Sequence, residues 1–371
     1  MKIAVTGSSG LLGWHATARL HAQACAAQYR GDDPEIRFVQ IDRKTFEDHS
    51  ALTSALEGVD GILHFAGVNR GEDAEVEEAN PRIAKQLTAA CQSAGVEPHI
   101  VYANSIHAAR DTSYGRSKRI AGECLAEYAP RYTNLILPHI FGECAQPYYN
   151  NVVATLIDQI WKGDEPTINP EGRVQLLHAG TAAQMAIDAV VEGKCGTLSP
   201  KGRDISVVDL HDKLRALHAL YTTNVVPDVS DPFDLALFNS LRTAAFPDLY
   251  PFKLKVTTDE RGTLFESAKG LTENHTFLST TRPGQVRGNH FHYDLIERFV
   301  VVRGEAIIRV RKVLTNDVHE FRVSGDEPVA IDQIPFHTHN IENIGEEDVI
   351  TFFWTHRIFD PSAPDTYADP V

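Results

Sequence analysis

The feature that most constrains the fold is a glycine-rich turn, Gly7-x-x-Gly10-x-x-Gly13, directly after the apolar segment Met1 to Thr6. An Ala-rich stretch follows, so the pattern predicts a strand, a tight turn and a helix. Gly7 permits the turn, Gly10 lets backbone approach a pyrophosphate, and Gly13 allows close helix–strand packing. The helix N-terminus, at Leu11-Leu12, would face the phosphates. The turn therefore predicts a dinucleotide-binding α/β fold.

Length and composition indicate a soluble protein of two domains. At 371 residues the chain exceeds what a single core usually accommodates. A formal charge of −15 argues against nucleic-acid and anionic-membrane partners, although local basic residues and helix N-termini can still hold an anionic substrate. The five cysteines are scattered without Cys-x-x-Cys spacing, and no apolar run approaches membrane-spanning length. These features predict a cytoplasmic protein with reduced thiols.

The second predicted strand, Ile36 to Ile41, ends in Asp42 and Arg43, where dinucleotide-binding folds distinguish their cofactors. An acid at this point would bind the adenosine ribose diol and favour NAD, whereas an arginine would accept a 2′-phosphate and favour NADP. Both residues are present, so the motif alone leaves the choice open, and a solvated loop charge is the plain alternative for Arg43. A third strand, Gly61 to Phe65, runs into Ala66-Gly67, and we assign its end to the cofactor site.

The following segment supplies three candidate catalytic residues. A helix is predicted from about Asn80 to Ala94, followed by a strand from His99 to Ala103. Ser105 lies just past the carboxyl end of that strand, where open α/β sheets bind their ligands. Tyr114 and Lys118 are four residues apart, on one face of a helix. A neighbouring ammonium favours the phenolate, so the pair can exchange a proton with a carbonyl or an alcohol.

Together these motifs resemble the extended short-chain dehydrogenase/reductase family over roughly residues 1–240. The residues that carry the resemblance are Gly7, Gly10, Gly13, the stretch His64-Phe-Ala-Gly67, Asn80, Ser105, Tyr114 and Lys118. The resemblance implies nicotinamide chemistry, often on nucleotide sugars. It also implies Tyr114 as the general acid, Ser105 as the residue that orients the carbonyl, and Lys118 as the ribose binder and activator of Tyr114.

The chain departs from that family in its substrate-side segments. Leu135 to Gly142 resembles a family strand, but Ile136 and His139 stand where an arginine and an asparagine are usual. The stretch His178-Ala-Gly-Thr-Ala-Ala183 stands where relatives often have paired acids. Tyr148-Tyr149-Asn150-Asn151 opens the following helix, either holding a sugar or uracil or forming an aromatic turn with an asparagine cap. The residues implied in hydride transfer, Ser105, Tyr114 and Lys118, are all present. The sequence does not determine which residues contact the substrate.

Beyond Leu254 the residues alternate in the manner of strands, with glycine-containing turns typical of a β-sandwich or small barrel. Prolines place the domain boundary near residues 243–252, giving domains 1–245 and 250–371. His290 and His292 alternate on one face of a predicted strand. Glu297 can join them only through a turn at residues 293–296, and His339 follows in a later segment. Three histidines and one carboxylate predict a zinc, nickel, manganese or iron site.

This second part resembles the cupin family. The stretch Gly284-x5-His290-x-His292-x4-Glu297-x6-Gly304 is similar to the first cupin motif. His339-x-x-x-Asn343 is similar to the end of the second, although Phe336 stands where a glycine is usual. His319 and His337 are not assigned as ligands. The predicted fold is an α/β Rossmann domain of the extended reductase type followed by an all-β cupin, or jelly-roll, domain.

A reductase followed by a cupin resembles bifunctional enzymes of capsular-polysaccharide synthesis over essentially the full chain. Further likenesses are His64 to Arg70, Thr338 to Asn343 and the ending Phe359-Asp-Pro … Pro364-Asp-Thr-Tyr367. The resemblance implies a UDP-linked 4-keto-6-deoxy-N-acetylhexosamine as substrate, NADPH, one divalent metal (expected to be Zn²⁺) and a homodimer. The cupin would invert C3 and the reductase would then reduce C4. The product would be UDP-N-acetyl-6-deoxy-L-talose, on the way to UDP-N-acetyl-L-fucosamine for capsule or O-antigen synthesis.

Three other interpretations stay open. In the first, the reductase works alone and the cupin serves dimerisation or sugar binding without catalysis. In the second, the dinucleotide fold belongs to a redox-sensing binding protein, against which the intact Ser105, Tyr114 and Lys118 argue. In the third, the cupin is a metal-dependent dioxygenase, which oxygen uptake would reveal.

Overall fold

The computed structural model describes residues 1–260 and 262–371. The chain forms two compact units, Met1–Thr155 with Ile168–Val208, and Leu156–Thr167 with Asp209–Val371. This division by contacts differs from the expected boundary near residues 243–252, which remains a prediction about domains. None of the helices in the described ranges combines the length and hydropathy that a bilayer crossing requires.

The first unit is built on a parallel sheet with the strand order β2-β1-β3-β4-β5-β8, beside a small sheet of β6, β7 and β9. The strands are β1 Lys2–Thr6, β2 Arg37–Ile41, β3 Gly61–His64, β4 His99–Ser105, β5 Tyr132–Leu137, β6 His139–Phe141, β7 Arg173–His178, β8 Gly196–Leu198 and β9 Arg203–Ser206. The helices are α1 Leu11–Tyr29, α2 Arg43–Glu47, α3 His49–Leu56, α4 Asp73–Ala94, α5 Ser113–Tyr128, α6 Val152–Lys162 (which continues into the second unit) and α7 Ala179–Val191, with a 3-10 turn at Ile106–Ala109.

Apolar residues cover both faces of the parallel sheet, which is why its strands read as continuous apolar runs. On one face the core contains Leu52, Leu87 and Leu125, from α3, α4 and α5. On the other face it contains Leu20 of α1 and Ile187 of α7. The carboxyl ends of the parallel strands therefore meet at one edge of a rigid, doubly covered sheet, and the candidate site lies at this edge.

Several boundaries in the first unit differ from the expected ones. Helix α4 begins at Asp73 and not near Asn80, and Pro81 lies inside it. The acidic residues Asp73 and Glu75 occupy its first turn, where they complement the helix dipole. The helix therefore begins in a polar segment that shows no apolar periodicity in the sequence. Ser105 is the last residue of β4 and does not lie beyond it.

The second unit is dominated by two five-stranded sheets, with the orders β11-β20-β17-β22-β15 and β19-β18-β21-β16-β23. Its helices are α8 Val207–Thr222 and α9 Pro232–Ala244. Its strands are β10 Val225–Val226, β11 Phe252–Lys253, β12 Val256–Asp259, β13 Gly262–Phe265, β14 Lys269–Gly270, β15 His275–Thr281, β16 Val286–Phe291, β17 Glu297–Arg303, β18 Glu305–Lys312, β19 Val318–Ser324, β20 Val329–Asp332, β21 His337–Asn343, β22 Val349–Thr355 and β23 Tyr367–Ala368.

Residues from both large sheets share one apolar core, which contains Phe299, Val301, Ile308, Ile331 and Ile341. Every described pairing in these two sheets is antiparallel. This is the arrangement of a jelly roll, in which two antiparallel sheets pack face to face. The prediction of a Rossmann domain followed by an all-β cupin domain is confirmed.

A buried ion pair ties helix α8 to the cupin sheets. Arg298 and Asp332 are almost fully buried, and the guanidinium donates to both carboxylate oxygens of Asp332 at 2.5 and 2.9 Å. The Tyr221 hydroxyl on α8 donates to Asp332 at 2.9 Å, and Arg298 also donates to Asn224. Because both charges keep several hydrogen bonds, the pair tolerates its removal from water. Arg298 follows Glu297 directly, so this network also anchors the strand that carries a candidate metal ligand.

Candidate active site and candidate metal centre

The glycine-rich turn leaves the start of α1 open to a ligand. Gly7 has a φ of +67°, and a Cβ there would lie 2.7 Å from the Ala66 nitrogen. A Cβ at Gly13 would lie 2.1 Å from the Gly7 oxygen, so the helix packs too closely for any side chain. Gly10 caps α1 without a side-chain hydrogen bond. Helix α1 begins at Leu11, so the N–H groups of Leu11 and Leu12 lie in its first turn, where helices can bind phosphate. Phosphate binding at this turn stays a prediction.

The loop after β3 lies beside this turn. The Ala66 nitrogen donates to Thr6 Oγ1 at 3.2 Å. The Asn80 side chain holds both backbone groups of Val68, each at 2.9 Å. A Cβ at Gly67 would lie 4.0 Å from the ammonium nitrogen of Lys118. The structure thus brings the predicted cofactor segment Phe65-Ala66-Gly67 together with Lys118.

Ser105, Tyr114 and Lys118 gather at the end of β4 and the first turns of α5. Ser105 is close enough to the Tyr114 side chain to lower the pKa of its phenol. Lys118 is buried, donates to the Ala103 carbonyl at 2.6 Å, and lies 4.1 Å from the centroid of the Tyr102 ring. Helix α5 begins after Thr112, whose hydroxyl accepts from the Gly115 nitrogen at 3.1 Å. This cap fixes the helix start and hence the direction of Tyr114 and Lys118.

Burial moves both titratable groups of this site toward their neutral forms. It raises the pKa of Tyr114, although the Ser105 side chain works in the opposite direction. It lowers the pKa of Lys118 to about 7. The spacing of Tyr114 and Lys118 predicts that the ammonium favours the phenolate, but in the structure Lys118 donates to a backbone carbonyl. Tyr114 is therefore a neutral proton donor at pH 7, which is the form a general acid requires.

Asp42 and Arg43 follow β2 directly, as the cap and the first residue of α2, and have different partners. The Asp42 carboxylate caps α2 and accepts from the Thr45 nitrogen at 2.8 Å, which lowers the pKa of Asp42. Arg43 is 91% exposed at its side chain and pairs with Glu47 at 2.9 Å. An exposed pair of this kind contributes little stability, so the guanidinium is available to a phosphate at low cost.

The substrate-side residues lie on and after β6. Burial, with a smaller effect of His107, lowers the pKa of His139. His139 Nε2 is buried and has no hydrogen-bond partner among the described residues. Asn151 caps α6, accepting from the Ala154 nitrogen at 3.0 Å, so the prediction of an asparagine cap is confirmed. The helix begins at Val152, and Tyr148 belongs to the turn before it.

Sequence reasoning missed a buried cluster of His15, Glu143 and His178. Glu143 accepts from His178 Nε2 at 2.9 Å, and its backbone carbonyl lies 3.1 Å from His15 Nε2. Burial alone would raise the pKa of Glu143, but His178 and His15 bring it down to about 2. These contacts join α1 to the ends of β6 and β7, and we interpret the cluster as structural. The residues come from three distant segments, so no local spacing signals it.

The second unit brings His290, His292, Glu297 and His339 together, with one possible ligand atom from each lying within 4.8 Å of the others. Glu297 Oε2 lies 3.5 Å from His292 Nε2 and 3.6 Å from His339 Nε2. His290 of β16 is paired directly with His339 of β21, after a bulge between Gly288 and His290. Glu297 is the first residue of β17 and reaches the group through the expected turn.

The four side chains fit a divalent metal by their chemistry. Burial lowers the pKa of His290 to about 4 and that of His339 well below its usual range, so both imidazoles are neutral ligands at pH 7. His292 Nε2 is buried without a hydrogen-bond partner among the described residues, while its Nδ1 contacts the Asp365 carbonyl. Imidazole nitrogens and carboxylate oxygens are both zinc ligands, and four of them complete a tetrahedral site. The cluster contains neither His319 nor His337.

Phe336 also has a clear place next to this centre. It has a φ of +58°, the left-handed conformation that glycine usually supplies, and its ring is 1% exposed. The Phe336 ring lies 5.1 Å from that of Tyr293. Packing of the ring therefore compensates for backbone strain at a position where a glycine is usual in the cupin motif.

Comparison with known proteins identifies the family to which the first unit belongs. Residues 3–194 of the 371 match the model of the NAD dependent epimerase/dehydratase family. The chain belongs to this family. Membership indicates a nicotinamide dinucleotide as cofactor. Residues 257–367 match the model of the polysaccharide biosynthesis C-terminal domain.

Two relatives match the chain over essentially its whole length. One is the UDP-2-acetamido-2,6-beta-L-arabino-hexul-4-ose reductase of Pseudomonas aeruginosa, 29% identical over 100% of this chain and 99% of the relative. Another is the capsular polysaccharide assembling protein CapF of Staphylococcus aureus, whose crystal structure is 26% identical, covers 100% of both chains and gives a TM-score of 0.58. A second CapF structure, with the inhibitor 3-isopropenyl-tropolone, gives 0.56. The predicted resemblance to enzymes of capsular-polysaccharide synthesis is confirmed.

Proposed function

We propose that the chain is a bifunctional enzyme that inverts C3 of a UDP-linked 4-keto-6-deoxy-N-acetylhexosamine and then reduces C4 with NADPH. The product is UDP-N-acetyl-6-deoxy-L-talose, for UDP-N-acetyl-L-fucosamine and for capsule or O-antigen synthesis. The observation that carries this proposal is the presence in one chain of a Ser–Tyr–Lys group and a buried three-histidine, one-glutamate group. A relative of the same length is named as the reductase of a UDP-linked hexulose, which supports the substrate class.

In the reductase, the described residues act on the C4 carbonyl. Ser105 orients the carbonyl oxygen through its hydroxyl, and Tyr114, kept neutral by burial, donates the proton that this oxygen needs on reduction. Lys118 binds the ribose of the cofactor and supports the loss of the phenolic proton. Bound NADPH supplies the hydride that is added to C4.

The epimerase must act before the reductase. The C4 ketone acidifies the neighbouring C3–H, so a base can remove this proton and an acid on the opposite face can return one. Once C4 carries a hydroxyl, that acidity is gone. The order therefore follows from the substrate, whichever residues of the cupin are the acid and the base.

We assign His290, His292, Glu297 and His339 as ligands of one divalent metal, with Zn²⁺ as the first choice. Such an ion would polarise a substrate oxygen or brace the site. His290 and His339 are held by strand pairing with each other, and Glu297 by pairing with Thr355 on β22. His292 lies just past β16 and contacts the Asp365 carbonyl. We assign the preference for NADPH to Arg43, which begins α2 directly after β2.

The exposed apolar surface of the second unit supports a homodimer. Strands β12 and β13 pair only with each other within the described residues. Leu264 on β13 is 68% exposed, and Leu278 on the sheet edge β15 is 65% exposed. An isolated hairpin is marginally stable, and an apolar sheet edge invites pairing. This favours dimerisation as a second role of the cupin and keeps a non-catalytic cupin as the alternative function.

Product analysis with the UDP-4-keto sugar in deuterated buffer tests the proposal. Without NADPH we expect deuterium at C3 and no reduction, and with NADPH we expect the C3-inverted 4-alcohol. Reduction without any C3 exchange would support the non-catalytic cupin. No turnover of any kind would favour the redox-sensing interpretation, and oxygen uptake would favour a dioxygenase. The expected cytoplasmic location stays a prediction.

A further inference from the structure

We propose that residues 365–371, which we call the strap, position the metal centre, with Asp365 as a positioning residue for both His292 and Glu297. The inference rests on the metal site proposed above and extends it to a segment far from the ligands in sequence. Four observations support it: the contacts of the Asp365 carboxylate, those of its backbone carbonyl, those of the rest of the strap, and the surroundings of Asp365.

The Asp365 carboxylate binds the turn between the two ligands His292 and Glu297. Its oxygens accept from three consecutive backbone nitrogens, those of Tyr293, Asp294 and Leu295, at 2.8, 2.9 and 2.9 Å. An ionised carboxylate forms short, strong hydrogen bonds with such a row of N–H groups. Because the chain reaches Glu297 only through this turn, the conformation of the turn sets where Glu297 lies.

The backbone carbonyl of Asp365 holds His292 itself. It accepts from His292 Nδ1 at 2.5 Å, and the Thr366 hydroxyl lies 3.4 Å from the same nitrogen. A carbonyl can only accept, so His292 Nδ1 carries a proton. His292 Nε2, 3.5 Å from the Glu297 carboxylate, is therefore the ring nitrogen that faces the cluster. A contact of this kind fixes the tautomer and the orientation of a metal-binding histidine.

The remainder of the strap is bound to both strands that carry histidines. Strand β23 pairs with β16, with Ala368 opposite His290. The Tyr367 ring lies 5.3 Å from the ring of Phe291 on β16. On β21, the hydroxyl of Thr338, next to His339, donates to the Asp369 carbonyl. The strap therefore holds its register against β16 and β21, and Asp365 cannot move independently of them.

Asp365 is shielded, but its outer side has a cationic partner. Its side chain is 13% exposed, and Arg357 donates to it at 3.1 Å.

If the strap only stabilised the fold, a substitution in it would change the melting temperature of the metal-free protein. If the strap positions the metal ligands, the substitution must also change the metal affinity and the coordination geometry of the bound ion. Both quantities can be measured without any turnover.

Titration of the purified full chain with Co²⁺ tests the inference, because the visible spectrum of Co²⁺ reports its coordination geometry. The variant Asp365→Asn keeps the size of the side chain but presents an amide nitrogen to backbone N–H donors. We expect it to bind Co²⁺ roughly 10–100-fold more weakly, the range found for outer partners of metal ligands, with an altered spectrum. The matched control is Asp360→Ala, since Asp360 lies five residues before Asp365 and its carboxylate binds within its own turn, accepting from the Ser362 nitrogen at 2.8 Å. Asp360→Ala should bind Co²⁺ with the affinity and the spectrum of the parent protein.

The outcomes separate this inference from the proposed metal site. If the parent protein and Asp365→Asn bind Co²⁺ with equal affinity and equal spectra, the positioning role of the strap is overturned and the proposed metal site is unaffected. A parent protein that binds no Co²⁺, or a His292→Ala variant that binds it unchanged, would overturn both. If Asp365→Asn yields no folded protein by circular dichroism, Asp365→Glu, which keeps the charge but lengthens the side chain, is titrated instead. Weaker Co²⁺ binding by Asp365→Glu supports the positioning role of the strap, and unchanged Co²⁺ binding refutes it.

Discussion

In the first unit, Ser105, Tyr114 and Lys118 lie on strand β4 and on helix α5, which follows it. In the second unit, the candidate ligands lie on β16, β17 and β21 or in the turn between the first two, and Asp365 reaches them from still further along the chain. The helical repeat and a cap are enough to arrange the first group. The second group exists only when several strands have paired in the correct register.

The two sites also differ in how they treat buried charge. Lys118 is a buried basic group whose pKa falls to about 7 and whose ammonium is held by a backbone carbonyl. Glu297 is a buried acid surrounded by three imidazoles. Substitutions in the first site are therefore expected to act on proton transfer and cofactor binding. Substitutions in the second are expected to act on the metal and on the turn that carries its ligands.

The strongest test of this separation is Tyr114→Phe. Removing the hydroxyl while keeping the ring should slow reduction by roughly 10²–10⁴-fold, the contribution of a general acid. NADPH binding and deuterium exchange at C3 should persist, because neither uses the phenol. Single-turnover reduction and mass spectrometry of the exchanged sugar measure the two activities. A near-native rate of reduction would move the acid role elsewhere, with Ser105 the next candidate.

The reciprocal substitution is His292→Ala. It removes a ligand, so its loss of metal affinity should exceed the roughly 10–100-fold typical of outer partners. Exchange at C3 should disappear, while reduction of a sugar already inverted at C3 should continue. Metal analysis and the same exchange assay give the result. Full exchange by metal-free protein would make the site structural, and loss of both activities would show that the two units depend on each other.

A smaller effect is expected from the pH dependence of NADPH binding. Below about pH 7, Lys118 already carries its proton in the free protein, whereas above this pH the proton must be taken up on binding. The affinity should therefore fall as the pH rises through about 7, by at most about tenfold per pH unit for one proton. Fluorescence titration of the parent protein and of Lys118→Met gives the comparison. The variant should bind weakly at every pH, and a flat profile for the parent protein would contradict the assignment.

The smallest effect is expected at Arg43, which is exposed and paired only with Glu47 in a surface contact. Arg43→Ala should raise the KM for NADPH by roughly tenfold, equivalent to about 1.4 kcal/mol, and leave the KM for NADH nearly unchanged. Glu47→Ala is a useful control, since it breaks the ion pair but keeps the guanidinium. Equal changes for the two cofactors would show that Arg43 does not bind the 2′-phosphate.

The sequence by itself determined the two folds and most members of both candidate sites. Gly7, Gly10 and Gly13 indicate the dinucleotide turn by their spacing, and at Gly7 and Gly13 the backbone contacts leave no room for a Cβ. Tyr114 and Lys118 are recognisable because helical spacing is local. The histidines at 290 and 292 are recognisable because the strand repeat is equally local. The start of α4 was missed because its first turns are polar and Pro81 lies inside the helix.

Tertiary structure alone decided the protonation of the catalytic candidates and the support of the metal ligands. The shifts of Tyr114 and Lys118 have burial as their main cause, and burial depends on residues packed from elsewhere in the chain. The contacts of Asp365 with His292 and with the turn before Glu297 join segments about seventy residues apart, a distance at which spacing carries no information. The cluster of His15, Glu143 and His178 arises in the same way. A sequence can display a ligand or a catalytic side chain, but only the folded chain fixes the charge and the direction in which it acts.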